Sequence, residues 1–233
     1  MAGLFTPLTV KGLTFQTRIV MPPMANNMAP PDGSVTDRHV DHYTARAGRD
    51  VAVIMVEHSY VRPDGRAGER QLGIYDDALI PGLSRLAEAV KRAGSLVGIQ
   101  ITHSGSRTTS GVAGRTPRGP SNVVVPGDKE VPEPFPAEEL PDIVRAFGQA
   151  ARRAVEAGFD LIEIHGAHGY LLNEFLSPYT NRREDGFGGS PANRLRLPLE
   201  VVREVRRRVG MDRVLMFRLG SDDMLEGGLH LAN

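Results

Sequence analysis

Five near-continuous apolar runs punctuate the chain: "RIVMPPM" (18–24), "VAVIMVE" (51–57), "LVGIQITH" (96–103), "DLIEIHG" (160–166) and "VLMFRLGS" (214–221). A strand with one wet face alternates apolar and polar residues. These runs do not alternate, so they read as strands buried on both faces, as in a parallel sheet. Between them the apolar positions change period. Leu79, Leu83, Leu86 and Val90 share one helical stripe, which ends at Gly94 after Lys91 and Arg92. Ile143, Val144, Phe147, Ala151, Ala154 and Val155 form a second stripe, ending near Gly158. A third comprises Leu195, Leu199, Val202, Val205 and Val209; it opens with Ser190 as cap and Pro191 in the first turn, and closes at Gly210. Pro198 either kinks this helix or marks a short first segment. Strands alternating with helices imply parallel strands joined by right-handed crossovers.

Two segments depart from this alternation. "LTVKGLTFQ" (8–16) reads as a hairpin turning at Lys-Gly, capping one end of the sheet. The connection over 104–136 is long and rich in Gly and Pro, the character of a functional excursion such as a lid. Five strand-helix units are countable, whereas a closed eight-stranded barrel takes about 250 residues. The chain therefore reads as an open, complete sheet or as the front part of a barrel.

With 233 residues, 40% of them hydrophobic, the chain can bury a sizeable core. Lys plus Arg equal Asp plus Glu at 28 each, which gives no electrostatic reason to expect nucleic acid or an anionic membrane as partner. The absence of cysteine removes disulfides, thiolate metal sites and cysteine nucleophiles, and fits a reducing cytoplasm. No apolar run reaches the roughly 20 residues that span a bilayer. Oligomeric state is open, a homo-oligomer included.

Ligands of parallel α/β folds gather at the carboxyl ends of the strands, and here every such end is polar. The first carries Pro23, Met24, Ala25 and Asn26; the second Glu57, His58 and Ser59; the third Gln100, Thr102 and His103; the fourth His165, His168 and Tyr170; the fifth Arg218, Ser221 and Asp222. Strand ends turn polar for structural reasons too, but five clusters at one end of five strands point to a shared site. His-x-x-His is a tolerable metal spacing, and carboxylates such as Glu57, Glu163 or Asp222 would complete the shell. A metal-dependent barrel lyase or hydrolase using His165 and His168 thus stands as the alternative reading.

"RIVMPPM", "GIQITHSG", "HGAHGYLLNEFLSPYTNRREDGFGGSPANR" and "FRLGSDD" together resemble the Old Yellow Enzyme family of FMN-dependent ene-reductases, in its bacterial NADH:flavin oxidoreductase and 2,4-dienoyl-CoA reductase branch. The resemblance runs in order along essentially the whole chain, and 165–194 is its most specific segment. It implies a TIM (β/α)8 barrel holding FMN in its mouth, here truncated after about five strand-helix units: a single FMN-binding domain over 1–233 without the last three strands, which grip the FMN phosphate. It implies hydride transfer from NADH or NADPH through FMN to the activated C=C bond of an α,β-unsaturated carbonyl compound. A chain so shortened would, as a further alternative, be a catalytically incompetent barrel.

By the same resemblance His165 and His168 bind the carbonyl oxygen and Tyr170 donates the proton. Pro23, Met24 and Ala25 form the floor under the flavin ring, His58 lies beside it, Gln100 pairs with the pyrimidine edge and Arg218 is the cation near N1 and O2. An imidazole pair suits a carbonyl oxygen that gains negative charge as hydride arrives, because the donors act most strongly in the transition state. Three departures bear on substrate scope and potential: Ala25 replaces a Thr or Cys common in relatives, Asn27 replaces a Tyr of one branch, and His58 replaces a small residue. "NRREDGFGGSPANR" reads as a structural loop, since its spacing is not that of a phosphate-binding loop.

Overall fold

The computed structural model describes residues 3–48 and 50–231; Arg49 and the ends of the expected 1–233 domain lie outside them. Strands β1 (Leu8–Val10) and β2 (Leu13–Phe15) form an antiparallel hairpin around Lys11 and Gly12, both at positive φ. There follow β3 (Ile19–Met21), α1 (Asp37–Thr44), β4 (Val51–Tyr60), α2 (Ile80–Arg92) and β5 (Leu96–Thr102). The long connection holds α3 (Ser110–Ala113), β6 (Arg118–Gly119) and β7 (Glu133–Pro134). Then come α4 (Leu140–Glu156), β8 (Leu161–Gly166), α5 (Leu171–Leu176), α6 (Pro191–Arg194), α7 (Arg196–Val209) and β9 (Val214–Leu219).

Five strands make one sheet in the order β3-β4-β5-β8-β9, with every neighbouring pair parallel. This is an open half-barrel flanked by helices, the arrangement of a truncated (β/α)8 barrel. Alternate residues serve its two faces. Ile54, Val56, Ile99, Ile101, Ile162 and Ile164 point outward into the main core, against Leu83, Leu86 and Val90 of α2, Ile143, Phe147 and Ala151 of α4, and Val201 and Val205 of α7. The inward set is apolar only at the amino end of the strands. There Val53, Met55, Leu161 and Val214 pack with Leu13 and Phe15 of the hairpin, which plugs that end. Further along, the same face carries Gln100, Glu163 and His165, all buried.

Two local features shape the site. Strand β4 is bulged: Val56 pairs with Ile99 and Ser59 with Ile101, so three steps along β4 match two along β5. The extra residue falls at Glu57–His58, and a bulge re-aims the side chains it holds. The third helical stripe is split. Ser190 Oγ accepts from the Asn193 N–H at 3.3 Å and starts α6, Leu195 separates it from α7, and Pro198 sits in the first turn of α7, where its missing N–H costs no hydrogen bond. The outer edges of β3 and β9 pair with no strand among the described residues.

Candidate active site

Strand β8 ends at Gly166 and the chain turns sharply before α5. His168 and Gly169 both take left-handed backbone conformations, at φ 60° and 71°. For a residue with a Cβ that conformation costs about 1–2 kcal/mol, so the imidazole of His168 is kept against a backbone preference for glycine. Asn173 locks the turn, its Oδ1 accepting from the Gly169 N–H at 2.8 Å, while the Tyr170 N–H donates to the Ala167 carbonyl at 3.2 Å. The turn brings together the three residues of the H-x-x-H-x-Y spacing. The His165 ring lies 5.0 Å from those of His168 and Tyr170, edge-on to both (86° and 82°). From β4, His58 joins them, stacked on Tyr170 at 5.3 Å and edge-on to His165 at 6.2 Å.

The environment fixes the protonation of this group. Burial, with smaller contributions from His58, His168 and Arg218, depresses the His165 pKa to about 2. Its Nδ1 accepts the Ala167 N–H at 3.2 Å, so the neutral ring carries its proton on Nε2. His168, exposed at the turn, is shifted down by partial desolvation and by Arg218. His58 falls to about 4, chiefly through burial and then through His168. The Tyr170 phenol is raised by burial, opposed by Arg107. At neutral pH the cluster therefore offers neutral N–H and O–H donors, the form needed to bind a developing oxyanion and to return a proton.

Of the other residues expected in the site, Gln100 and Arg218 lie on the strands flanking β8. Gln100 Nε2 donates to Glu163 Oε1 at 2.6 Å, and burial raises the Glu163 carboxyl while Gln100 and Arg218 pull it down. Arg218 stands opposite His165 in the β8–β9 register, and its guanidinium makes no hydrogen bond or ion pair among the described residues. A half-buried guanidinium without a partner is costly and invites an anion. Pro23, Met24 and Ala25 follow β3; Met24 is 59% exposed and Ala25 is also exposed. Behind them the Asn26 N–H donates to Glu57 Oε2 at 3.3 Å, and Glu57 lies 3.4 Å from His39 in full burial. An open apolar floor, an amide and an unpaired cation at adjoining strand ends suit a flat ring that becomes anionic on reduction, so these residues fit FMN.

Sequence reading missed two supports. Gln71, buried on the segment after β4, donates from Nε2 to the His58 carbonyl at 2.8 Å and to its Nδ1 at 3.2 Å, and nothing in its local sequence marks it. Glu174 did leave a signal, a carboxylate inside the apolar run "LLNEFL". It is buried on α5, accepts the Ser106 N–H at 3.1 Å and the Ser106 hydroxyl, and is pushed up to about 8 by desolvation. It thereby bolts the long connection to the helix that Tyr170 caps. His103 is likewise buried support: its Nδ1 accepts the Gly105 N–H at 3.1 Å and its ring meets Phe135. Gly105 is at φ 64°, and a Cβ there would collide with the Glu174 carboxylate. Gly105→Ala is expected to lower the unfolding free energy by about 2 kcal/mol or more, read from urea denaturation.

Among the described residues no three His, Asp or Glu side chains converge so as to hold a metal ion, so the metal-ligand reading of His165 and His168 finds no donor set there. No helix among them is long and apolar enough to cross a membrane. The profile of the NADH:flavin oxidoreductase / NADH oxidase family matches residues 3–233. The NADPH dehydrogenase of Bacillus licheniformis is 44% identical over 231 residues, 99% of this chain and 67% of that protein. The NADH oxidase of Thermoanaerobacter brockii is 43% identical over 228 residues, 97% of this chain but 35% of that protein. Among solved structures, morphinone reductase in complex with tetrahydroNAD superposes with a TM-score of 0.91 at 33% identity, covering 98% of this chain and 66% of that one. The chain thus spans about two thirds of the length of the NADPH dehydrogenase it matches.

Proposed function

The chain belongs to the NADH:flavin oxidoreductase / NADH oxidase family, and from that membership we propose that it serves, as a single FMN-binding domain, an ene-reductase of the cytoplasm. Its reaction moves a hydride from NADH or NADPH, through FMN, to the activated C=C bond of an α,β-unsaturated carbonyl compound. One observation carries this reading: two neutral imidazoles and a half-buried phenol meet at 5.0 Å ring separations at the end of β8, beside the Arg218 guanidinium.

FMN bound there would rest on Pro23, Met24 and Ala25, next to His58, Gln100 and Arg218, and it would supply the hydride chemistry in both directions. The chain's own residues do the rest. His165, with its proton on Nε2, and His168 donate to the carbonyl oxygen, whose charge is small in the bound alkene and large once the β-carbon has gained hydride. Because both rings are neutral, they polarise the oxygen and keep their protons. Tyr170 then releases its phenolic proton to the α-carbon, and solvent restores it. The exposed turn at His168 leaves the carbonyl end of the substrate open to water, whereas buried His165 and the rings around it exclude water from the reacting carbons.

The test is spectroscopic. The purified chain, mixed with FMN and passed through gel filtration, is expected to retain flavin absorbance. NADPH or NADH under nitrogen should bleach it, and 2-cyclohexenone should restore the colour. Retention of flavin with no recovery on adding the enone would refute the alkene as oxidant.

A further inference from the structure

We propose that His58 is the positioning residue for Tyr170, and that by sharing its space it limits the size of the substituent on the alkene carbon that receives the proton. The inference rests on the ene-reductase reading above.

The β4 bulge makes the arrangement. Its extra residue sends the Glu57 carboxylate outward to His39 of α1, with the Glu57 N–H donating to the Tyr43 hydroxyl, and sends the next side chain, His58, inward to the ring cluster. Without the added step, strand alternation would still separate the two faces, but the positions beyond Val56 would be out of phase. The ring is then fixed from behind. Gln71 Oε1 accepts the Ala67 N–H at 2.7 Å, which settles which end of that amide is oxygen. Its Nε2 must therefore be the donor to the His58 carbonyl and to Nδ1, leaving the His58 proton on Nε2.

So held, the imidazole lies nearly flat on the phenol, 14° from parallel, while His165 meets the same phenol at 82°. One imidazole against its face and another across it leave Tyr170 little freedom to turn. Burial keeps His58 uncharged, so the stack persists without a cation being introduced beside Arg218. Position matters here because proton transfer needs the acid within hydrogen-bond reach of its target, and small misplacements are costly. A substituent on the α-carbon must come close to the phenol, one face of which His58 already covers.

The flavin-loaded chain is assayed with 2-cyclohexenone and 2-methyl-2-cyclohexenone, with flavin reduction by NADPH followed separately to isolate the alkene step. His58→Ala is expected to lower kcat for the unsubstituted enone and to raise the kcat/KM of the methylated one relative to it by about tenfold or more, the scale on which a pocket discriminates one methyl group. His58→Phe, which keeps a flat ring but loses the Gln71 contact, should lose less kcat than His58→Ala and keep the discrimination. A second readout needs no flavin. In the chain labelled with 13C-tyrosine, the ring signals of Tyr170 should move toward solvent-exposed values in His58→Ala and much less in His58→Phe. An unchanged substrate ratio in His58→Ala, or unchanged Tyr170 signals, overturns the proposal. Wild-type chain that holds flavin but reduces neither enone refutes the ene-reductase reading instead, and the tyrosine signals then decide on the brace alone.

Discussion

Tyr170→Phe is expected to slow alkene reduction by two to four orders of magnitude, the range that a positioned general acid contributes, while NADPH bleaches the flavin at the wild-type rate. The asymmetry follows from where the hydroxyl stands. It belongs to the residue that caps α5, with its ring against those of His165 and His58. Its pKa is raised by burial, so it holds its proton until an enolate carbon, a stronger base, asks for it. The phenyl ring of the variant keeps the packing and removes only the proton. Stopped-flow absorbance resolves the two half-reactions; equal slowing of both would place Tyr170 in the flavin's support, and no slowing would mean that water or another acid protonates the substrate.

Loss of one proton, from Glu174, should withdraw about 2 kcal/mol of stability between pH 6.5 and 8. Glu174 has an ordinary pKa of 4.5 when unfolded and about 8 in the fold. A raised folded value means that the native state binds the proton more tightly. Its contribution is complete below the unfolded pKa and is lost progressively as pH rises through about 8. The histidines with depressed values work oppositely. Desolvation of His165, His58 and His103, and in part of the exposed His168, holds them neutral in the fold, so their contribution is lost as pH falls through about 6.5. At pH 6.5 the unfolded histidines are still half protonated, so up to pH 8 the four return up to about 0.4 kcal/mol each, less at the exposed His168, and offset most of the carboxyl's loss in the parent. Glu174→Gln preserves an oxygen for the Ser106 N–H and isolates the carboxyl: relative to the parent its stability should rise by about 2 kcal/mol over that interval, read from urea denaturation at pH 6.5 and 8. Parallel pH profiles of variant and parent would assign the effect elsewhere.

The parts of the architecture written in apolar period were legible in the sequence. The five strands of the sheet, the three long helices and the polar character of every strand end can all be read from it, because burial on both faces and on one helical stripe leaves unmistakable patterns. Helix α1 was not legible. Its inward residues are His39 and Tyr43, which pack through a hydrogen-bonded cluster with Asn26 and Glu57, so "DRHVDHYT" shows no apolar stripe. The His165, His168, Tyr170 constellation was visible as a local spacing, since all three lie within six residues. His58 was visible as a polar strand end, but its contact with Tyr170 joins positions 112 residues apart (170 − 58) and depends on a bulge. Bulges are set by pairing with the next strand, which a linear pattern does not record. Gln71 was hidden for the same reason: its role exists only once β4 has been placed beside it.

The unpaired outer edges of β3 and β9 constrain how copies of this chain can associate. Both strands run in the same direction within the sheet. Joining β9 of one copy to β9 of another about a two-fold axis would make an antiparallel seam and leave each β3 still open. Joining β9 to β3 continues the parallel order but is head-to-tail, and a head-to-tail contact yields a ring only when its rotation closes. With Val20 and Leu219 substantially exposed along those margins, copies that met head to tail would add end on end wherever that rotation failed to close.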